Sequence, residues 1–393
     1  MRFWGNLRDN RGIVSRDKRK VLYAGIDAPW VDPRGKGKAG EPDLSRQLSR
    51  LKSLPFDGVT VQIIDPDPKI SFPQNFLGNN LLGPTKHDYR TFEGAIPQLR
   101  QLQQTPLRDN FLPITTGYWF ASGKKNPFDW FNEDRWRIVE NNLRVYAQIA
   151  KQSGVIRGFT LDIEPYARPT KPGEEQEWAY SIFSTNTQYN LVNNRPGDPD
   201  PQENYRRRVR ECGRRFQKVL EEKLPGAPIL LYLGYGMAQE KSNPNNADLF
   251  PHFVDGIIEQ MDRSGSKGYV IDGYEGAYKY NTENEYRGAR DDVRKNLKRL
   301  TALPQLYDRY VRVGFGKWLD AGQGADSAWN ASDAGRNFYR PDSWEQSMKL
   351  ALDNTDEYVW IWSGGQGRVF PMTYGRSANV PTGYLDALRR AKR

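Results

Sequence analysis

Eight segments of this chain read as strands, and a helical pattern follows each of them. The strands are Val21–Asp27, Gly58–Ile64, Phe111–Gly117, Ile156–Glu164, Pro228–Gly236, Tyr269–Glu275, Tyr310–Trp318 and Tyr358–Ser363. Apolar residues at helical spacing mark Leu44–Leu54, Phe92–Gln103, Glu133–Gln152, Asn204–Lys223, Asn246–Met261, Glu285–Leu300, Ser343–Leu352 and Thr382–Lys392. Strict alternation repeated eight times predicts an α/β chain folded as a (β/α)8 barrel. Residues 21–393 are expected to form that single barrel, with 1–20 as a basic and polar N-terminal extension.

The connections agree with a barrel. Helix-to-strand joins are short and marked by Gly or Pro, as in Leu54-Pro55-Phe56-Asp57-Gly58 and Leu224-Pro225-Gly226-Ala227. Long joins follow strands, above all Asp65–Arg90 and Pro165–Glu203. Barrel enzymes elaborate the strand-to-helix side, where their sites lie.

Strand register predicts what faces the barrel axis, because side chains alternate. In the fourth strand Phe159, Leu161 and Ile163 face outward, while Gly158, Thr160, Asp162 and Glu164 face inward. The second strand turns Thr60 and Gln62 inward, and the eighth turns Trp360 and Trp362 inward. The seventh turns in Arg312, Gly314, Gly316 and Trp318, and the first sends Tyr23, Gly25 and Asp27 one way. An inner face that is small or polar and ends in an acid or a Trp fits a sugar cleft at the barrel mouth. The sixth strand is ambiguous: Asp272 and Glu275 are three apart, so both face inward only across a bulge at Gly273. Glu275 is preferred because it ends the strand.

Composition narrows the chemistry. The single cysteine excludes an internal disulfide, and two histidines leave little room for a histidine metal site or a Ser-His-Asp triad. A hydrolase built from this chain must use carboxylates as acid and base. No metal and no cofactor is implied. The net charge of +10 raises a nucleic-acid reading. However, the arginines of Arg206-Arg207-Arg208-Val209-Arg210, with Arg214 and Arg215, fall on the wet face of an amphipathic helix, so nucleic acid is not expected as a partner. No apolar run spans a membrane.

Asp162 and Glu164 are the first candidates. Two acids on one strand face repel each other, which raises one pKa and leaves a protonated acid beside an ionised base. Glycosidic-bond cleavage requires that division. Glu275 could be the partner carboxylate across the mouth, with a separation of about 5–5.5 Å implying retention and about 6.5–9.5 Å inversion. Asp27, followed by Ala28-Pro29-Trp30, could bind a sugar hydroxyl or be a plain turn residue. Trp30, Trp119, Trp318, Trp360 and Trp362 offer flat apolar area for a sugar ring, one at least being core. Gln62, Tyr166, Tyr232 and Asp272 complete the expected substrate-binding set.

The segment Gly158-Phe159-Thr160-Leu161-Asp162-Ile163-Glu164 resembles the signature of family 18 chitinase-like glycoside hydrolases, Asp-Gly-x-Asp-x-Asp-x-Glu. Gly158, Asp162 and Glu164 match it, and Arg157 and Thr160 stand where the family has its first two aspartates. The resemblance implies that Glu164 is the general acid. The terminal Val359-Trp360-Ile361-Trp362-Ser363 also looks like the Trp strand that closes many such barrels.

The expected function is therefore a glycoside hydrolase acting on a polysaccharide or oligosaccharide, with Glu164 as general acid/base. Asp162 tunes it or serves as nucleophile, and Glu275 acts from across the cleft. Two rivals stand beside it: a carbohydrate-binding barrel without catalysis, and a binder of anionic polymer through the basic surface. The opening Met1-Arg2-Phe3-Trp4-Gly5-Asn6 has no apolar run of a signal peptide, although polymer hydrolysis suggests a secreted or periplasmic protein.

Overall fold

The computed structural model describes residues 19–35, 37, 43–67, 75–117, 127–166, 180–192, 201–236, 247–323, 329–371 and 376–393. Eight parallel strands line a barrel: β1 Lys20–Tyr23, β2 in two pieces (Gly58–Val59 and Gln62–Ile63), β3 Asn110–Thr115, β4 Ile156–Asp162, β5 Ile229–Leu231, β6 Val270–Asp272, β7 in two pieces (Val311–Val313 and Phe315–Trp318) and β8 Tyr358–Trp362. Each of β3 to β7 pairs in parallel with the next, β7 pairs with β8, and β8 with β1. The ring closes through β1 to β2 and through the amide of Val61, which donates to the Phe111 carbonyl at 2.9 Å. All eight expected strands are present, and all but β7 end short of the C-terminal bound the sequence suggests. There the chain leaves the ladder to build the mouth.

The helices follow the same order: α1 Leu44–Ser53, α2 Ala95–Arg100, α3 Glu133–Ser153, α4 Pro201–Lys223, α5 Phe250–Ser264, α6 Glu283–Asp291, α7 Pro341–Asn354 and α8 Thr382–Ala391. Their ends carry the expected signals. Asn132 caps α3 by accepting from the Arg135 amide at 2.9 Å, and Gly154 stops it at φ 69°. Thr282 and Glu285 form a capping box on α6. The helical pattern expected through residue 300 instead changes at Asp292 to a wider turn and then a tighter one. A short helix, Pro304–Tyr310, precedes β7 where no helix was expected.

Two apolar layers result. The outer one, between sheet and helices, contains Phe159, Leu161, Ile163, Val311, Val313, Val359 and Ile361. The inner one fills the barrel with Leu22, Ala24, Phe111, Leu230, Ile271, Tyr358 and Trp360. The register expected for β4, β7 and β8 is observed. For β1 it is reversed: Tyr23 packs outward on Phe56 and Phe370, and Leu22 and Ala24 face in. The interior below the mouth is thus apolar rather than polar, as a closed barrel must be to exclude water.

The arginine run on α4 is largely used within the fold. Arg210 and Arg214 meet Glu259 of α5 at 2.8 and 2.9 Å, and Arg215 meets Glu140 of α3 at 2.7 Å. These side chains join neighbouring helices instead of presenting a bare cationic face. No helix among the described residues is long and apolar enough to cross a membrane.

Candidate active site

β4 delivers the first two acids. Beyond Asp162 the strand ends, yet Ile163 still packs outward, so Glu164 stays on the inner side with Asp162. The amide of Glu164 donates to Asp162 Oδ1 at 3.0 Å. Pro165 then turns the chain, and Tyr166 folds back with its amide on the Gly117 carbonyl at 2.8 Å. Its hydroxyl lies 2.6 Å from Asp162 Oδ2 and 2.8 Å from Glu164 Oε2.

One phenol has one hydrogen and cannot donate fully to two ionised carboxylates. Burial, then the charge of Glu164, raises the Asp162 pKa to about 7. The phenol donates to Asp162 Oδ2 or to Glu164 Oε2, and its bond to Asp162 offsets part of that rise.

β6 delivers the third acid by a different route. Asp272 ends the strand, and Tyr274 adopts a left-handed conformation at φ 37°, ψ 70°. Among the described residues it is the one non-glycine at positive φ, a conformation that costs roughly 1–3 kcal/mol. This break supplies what the spacing of three required, and Glu275 opens a tight turn, Glu275–Ala277. Its amide donates to the Tyr232 carbonyl at 3.2 Å. Burial, then the charges of Glu164 and Asp162, raises Glu275 to about 8, while the Tyr278 hydroxyl that bonds it offsets part of the shift. The charges of both β4 acids thus act on Glu275.

Aromatic residues surround these acids. Tyr232 stacks on Trp360 with ring centroids 4.3 Å apart, and Tyr278 meets Trp360 edge-on at 5.4 Å. Trp318 and Trp362 are half-buried at the ends of β7 and β8, with Trp318 held by its Nε1 on Asp320 Oδ1 at 2.8 Å. Gln62 is half-buried on β2 beside Trp30.

Four expected substrate contacts are placed elsewhere. Asp27 is fully buried, because β1 turns it outward; it accepts from the Phe370 amide at 2.8 Å and from the Tyr23 hydroxyl. Asp272 is also buried and accepts from the amides of Tyr235 and Tyr274 at 3.0 and 3.2 Å, fixing the loop after β5 to the break after β6. Trp30 is covered by Ile64 and Phe76. Trp360 points inward as expected but is 1% exposed; its Nε1 donates to the Gly273 carbonyl at 2.8 Å, making it the floor beneath Tyr232. Trp119 lies outside the described residues, as does Tyr118.

Two residues escaped sequence reasoning. Asp320 accepts from the amides of Gly364, Gln366 and Gly367 at 2.8–2.9 Å as well as from Trp318, tying the mouth ends of β7 and β8 together. Lys317 is fully buried at an outward position of β7, in register with Val311, Val313 and Phe315. A lysine in an apolar register was the available signal.

No family model and no curated protein matches the chain. Solved structures do. The endocellulase of Pyrococcus horikoshii in complex with cellotetraose is 12% identical, covering 95% of this chain and 92% of that one at a TM-score of 0.47. A glycoside hydrolase family 5 enzyme of Prevotella bryantii B14 in complex with a xyloglucan tetradecasaccharide is 10% identical over 96% and 97%, at 0.48. A family 5 lichenase of Caldicellulosiruptor sp. F32 is 8% identical over 100% and 97%, at 0.46. At these identities the likeness is one of overall fold alone. The family 18 resemblance rests on the residues of β4 alone.

Proposed function

We propose that the chain is a glycoside hydrolase whose working groups are Glu164, Glu275 and Asp162, acting on a polysaccharide or oligosaccharide outside the cytoplasm. The observation that carries this reading is the convergence of three carboxyl groups at the mouth from two strands, two of them bridged by one phenol. An acid that still holds its proton at neutral pH, facing a second carboxyl group, is what protonation of a leaving oxygen and attack at the anomeric carbon require. Glu275, raised to about 8, is the proton donor. Glu164 is the carboxylate that works against it, with Asp162 and Tyr166 setting its hydrogen bonding. This reverses the role that the family 18 resemblance implies for Glu164.

Trp318 and Trp362, half-buried near the site, are the stacking surfaces for sugar rings. Tyr232 and Gln62 offer polar atoms to hydroxyls. The test is product release from neutral and acidic polysaccharides by wild type, Glu164→Gln and Glu275→Gln. Hydrolysis of one polymer by wild type and its loss in both variants is the expected result. Release that persists undiminished in both variants would sink the assignment.

A further inference from the structure

We propose that Lys317 is a positioning residue for Glu275: from the helix side of β7 it clamps the turn that carries this acid into the mouth. The inference rests on the reading of Glu275 as the proton donor, and it goes beyond that reading by naming what holds the donor in place.

The turn needs a clamp. It starts from Tyr274, strained at positive φ, and leaves the sheet immediately. Its own bonds are short-range: the Ala277 amide donates to the Tyr274 carbonyl and the Tyr278 amide to the Glu275 carbonyl, both at 3.0 Å. These shape the turn, and two backbone bonds tie it to neighbouring strands, from the Glu275 amide to the Tyr232 carbonyl at 3.2 Å and from the Trp318 amide to the Tyr278 carbonyl at 3.3 Å. Lys317 adds the side-chain bonds that hold its far end. Its Nζ lies 3.3 Å from the Ala277 carbonyl and 2.8 Å from the Tyr280 carbonyl, bracketing the residue whose hydroxyl bonds Glu275. It also lies 2.7 Å from the Tyr286 hydroxyl and 2.5 Å from that of Tyr339.

The Tyr280 carbonyl is the knot. Besides Lys317 it receives the hydroxyls of Tyr286, Tyr339 and Ser347 at 3.1, 2.8 and 2.6 Å. The Tyr339 hydroxyl also lies 3.1 Å from the Tyr278 carbonyl, its alternative acceptor. Lys317 thus ties α6 and the loop before α7 to one strained turn, and Ser347 of α7 reaches the same Tyr280 carbonyl. A buried lysine without a carboxylate hydrogen-bonded to it is costly in an outer apolar layer, and packing alone does not explain it. The nearest opposing charge acting on it is that of Glu285, and burial lowers its pKa well below the ordinary lysine value.

The experiment is a 13C-carboxyl NMR titration of the full chain, with Glu275 assigned by comparison with Glu275→Gln, in wild type and Lys317→Met. The groups facing Glu275 are Glu164, Asp162 and the Tyr278 hydroxyl. With the clamp gone, the turn relaxes away from the two acids and toward water. The Glu275 midpoint then falls by about one pH unit or more, while the Asp162 midpoint moves less. Loss of stability alone would lower the melting temperature without moving one carboxyl midpoint selectively. A folded Lys317→Met with the wild-type Glu275 midpoint overturns the proposal. Tyr339→Phe, which keeps the lysine and removes one hydroxyl of the knot, is the second variant. It shifts Glu275 the same way by less, and an unshifted midpoint there, where Lys317→Met does not fold, also overturns it. The titration needs no substrate, so a chain that hydrolyses nothing would fail the functional reading and leave this measurement decisive for the clamp.

Discussion

The mouth ends of β4 and β6 present carboxyl groups to the same cleft but hold them by opposite means. At β4, Asp162, Glu164 and Tyr166 sit within five residues, and every bond among them is local. The strand's own alternation aims both acids. At β6 the strand breaks, Asp272 is turned away to the amides of Tyr235 and Tyr274, and Glu275 reaches the cleft only through a strained turn. That turn is held by residues as far along the chain as Ser347. On the proposed function, the difference separates two ways of losing activity. A change at β4 would alter the proposed chemistry directly, whereas a change around β6 could move the acid without touching it.

The largest expected effects test the chemistry of both ends. Glu164→Gln and Glu275→Gln each lower kcat/KM on a native linkage on the order of 10²–10⁴-fold. A substrate with an activated aryl leaving group tells them apart. It needs no protonation, so Glu275→Gln recovers most of its activity on it and Glu164→Gln does not. Equal recovery by both variants would break the comparison, because the two ends would then not divide the work.

Tyr166→Phe comes next and tests the local end. It removes the hydroxyl that bridges the pair, for an expected loss in kcat of about 10-fold, the scale of a charge-assisted hydrogen bond of about 1.5 kcal/mol. The sign of its pH effect is set. The phenol lowers the Asp162 pKa, so its removal raises that value further above 7. The corresponding limb of the kcat profile moves to higher pH, and a limb that stays in place would show that Asp162 does not titrate in the reaction.

The same contrast explains what the sequence made legible. Alternating apolar residues marked all eight strands, and at β4 they carried the site as well, because Asp162 and Glu164 lie on a straight strand. Glu275 was legible as a strand-end acid that needed an irregularity, but the break falls at Tyr274 and not at the glycine before it. Lys317 and Asp320 were not legible as site builders, because their partners are tens of residues away along the chain. Asp27 and Trp360 are buried for two different reasons. β1 presents Leu22 and Ala24 inward, opposite to the side that carries Asp27, whereas Trp360 points inward as expected but lies below the mouth, because register gives the side of a strand and not its depth.

The smallest expected effect is thermodynamic. Glu275 rises from an ordinary value near 4.5 to about 8 in the folded chain, and Asp162 from near 3.8 to about 7. A carboxyl with a raised folded pKa favours folding in its protonated form. Its contribution is therefore complete below pH 4 and is lost as pH rises toward 7–8, when the unfolded chain has already released the proton. Glu275→Gln keeps the shape and removes the charge. It should leave the melting temperature unchanged at pH 4 and raise it at pH 8, by a stability gain on the order of 1–2 kcal/mol once solvent access to the cleft is allowed for. Lys317→Met combined with Glu275→Gln sharpens the comparison. If the clamp holds Glu275 against repulsion from β4, its removal relieves that repulsion only where the acid is present, so Lys317→Met costs more stability at pH 8 in the Glu275→Gln background than in wild type. Full additivity of the two changes at pH 8 would mean that the lysine supports the outer layer without restraining the acid.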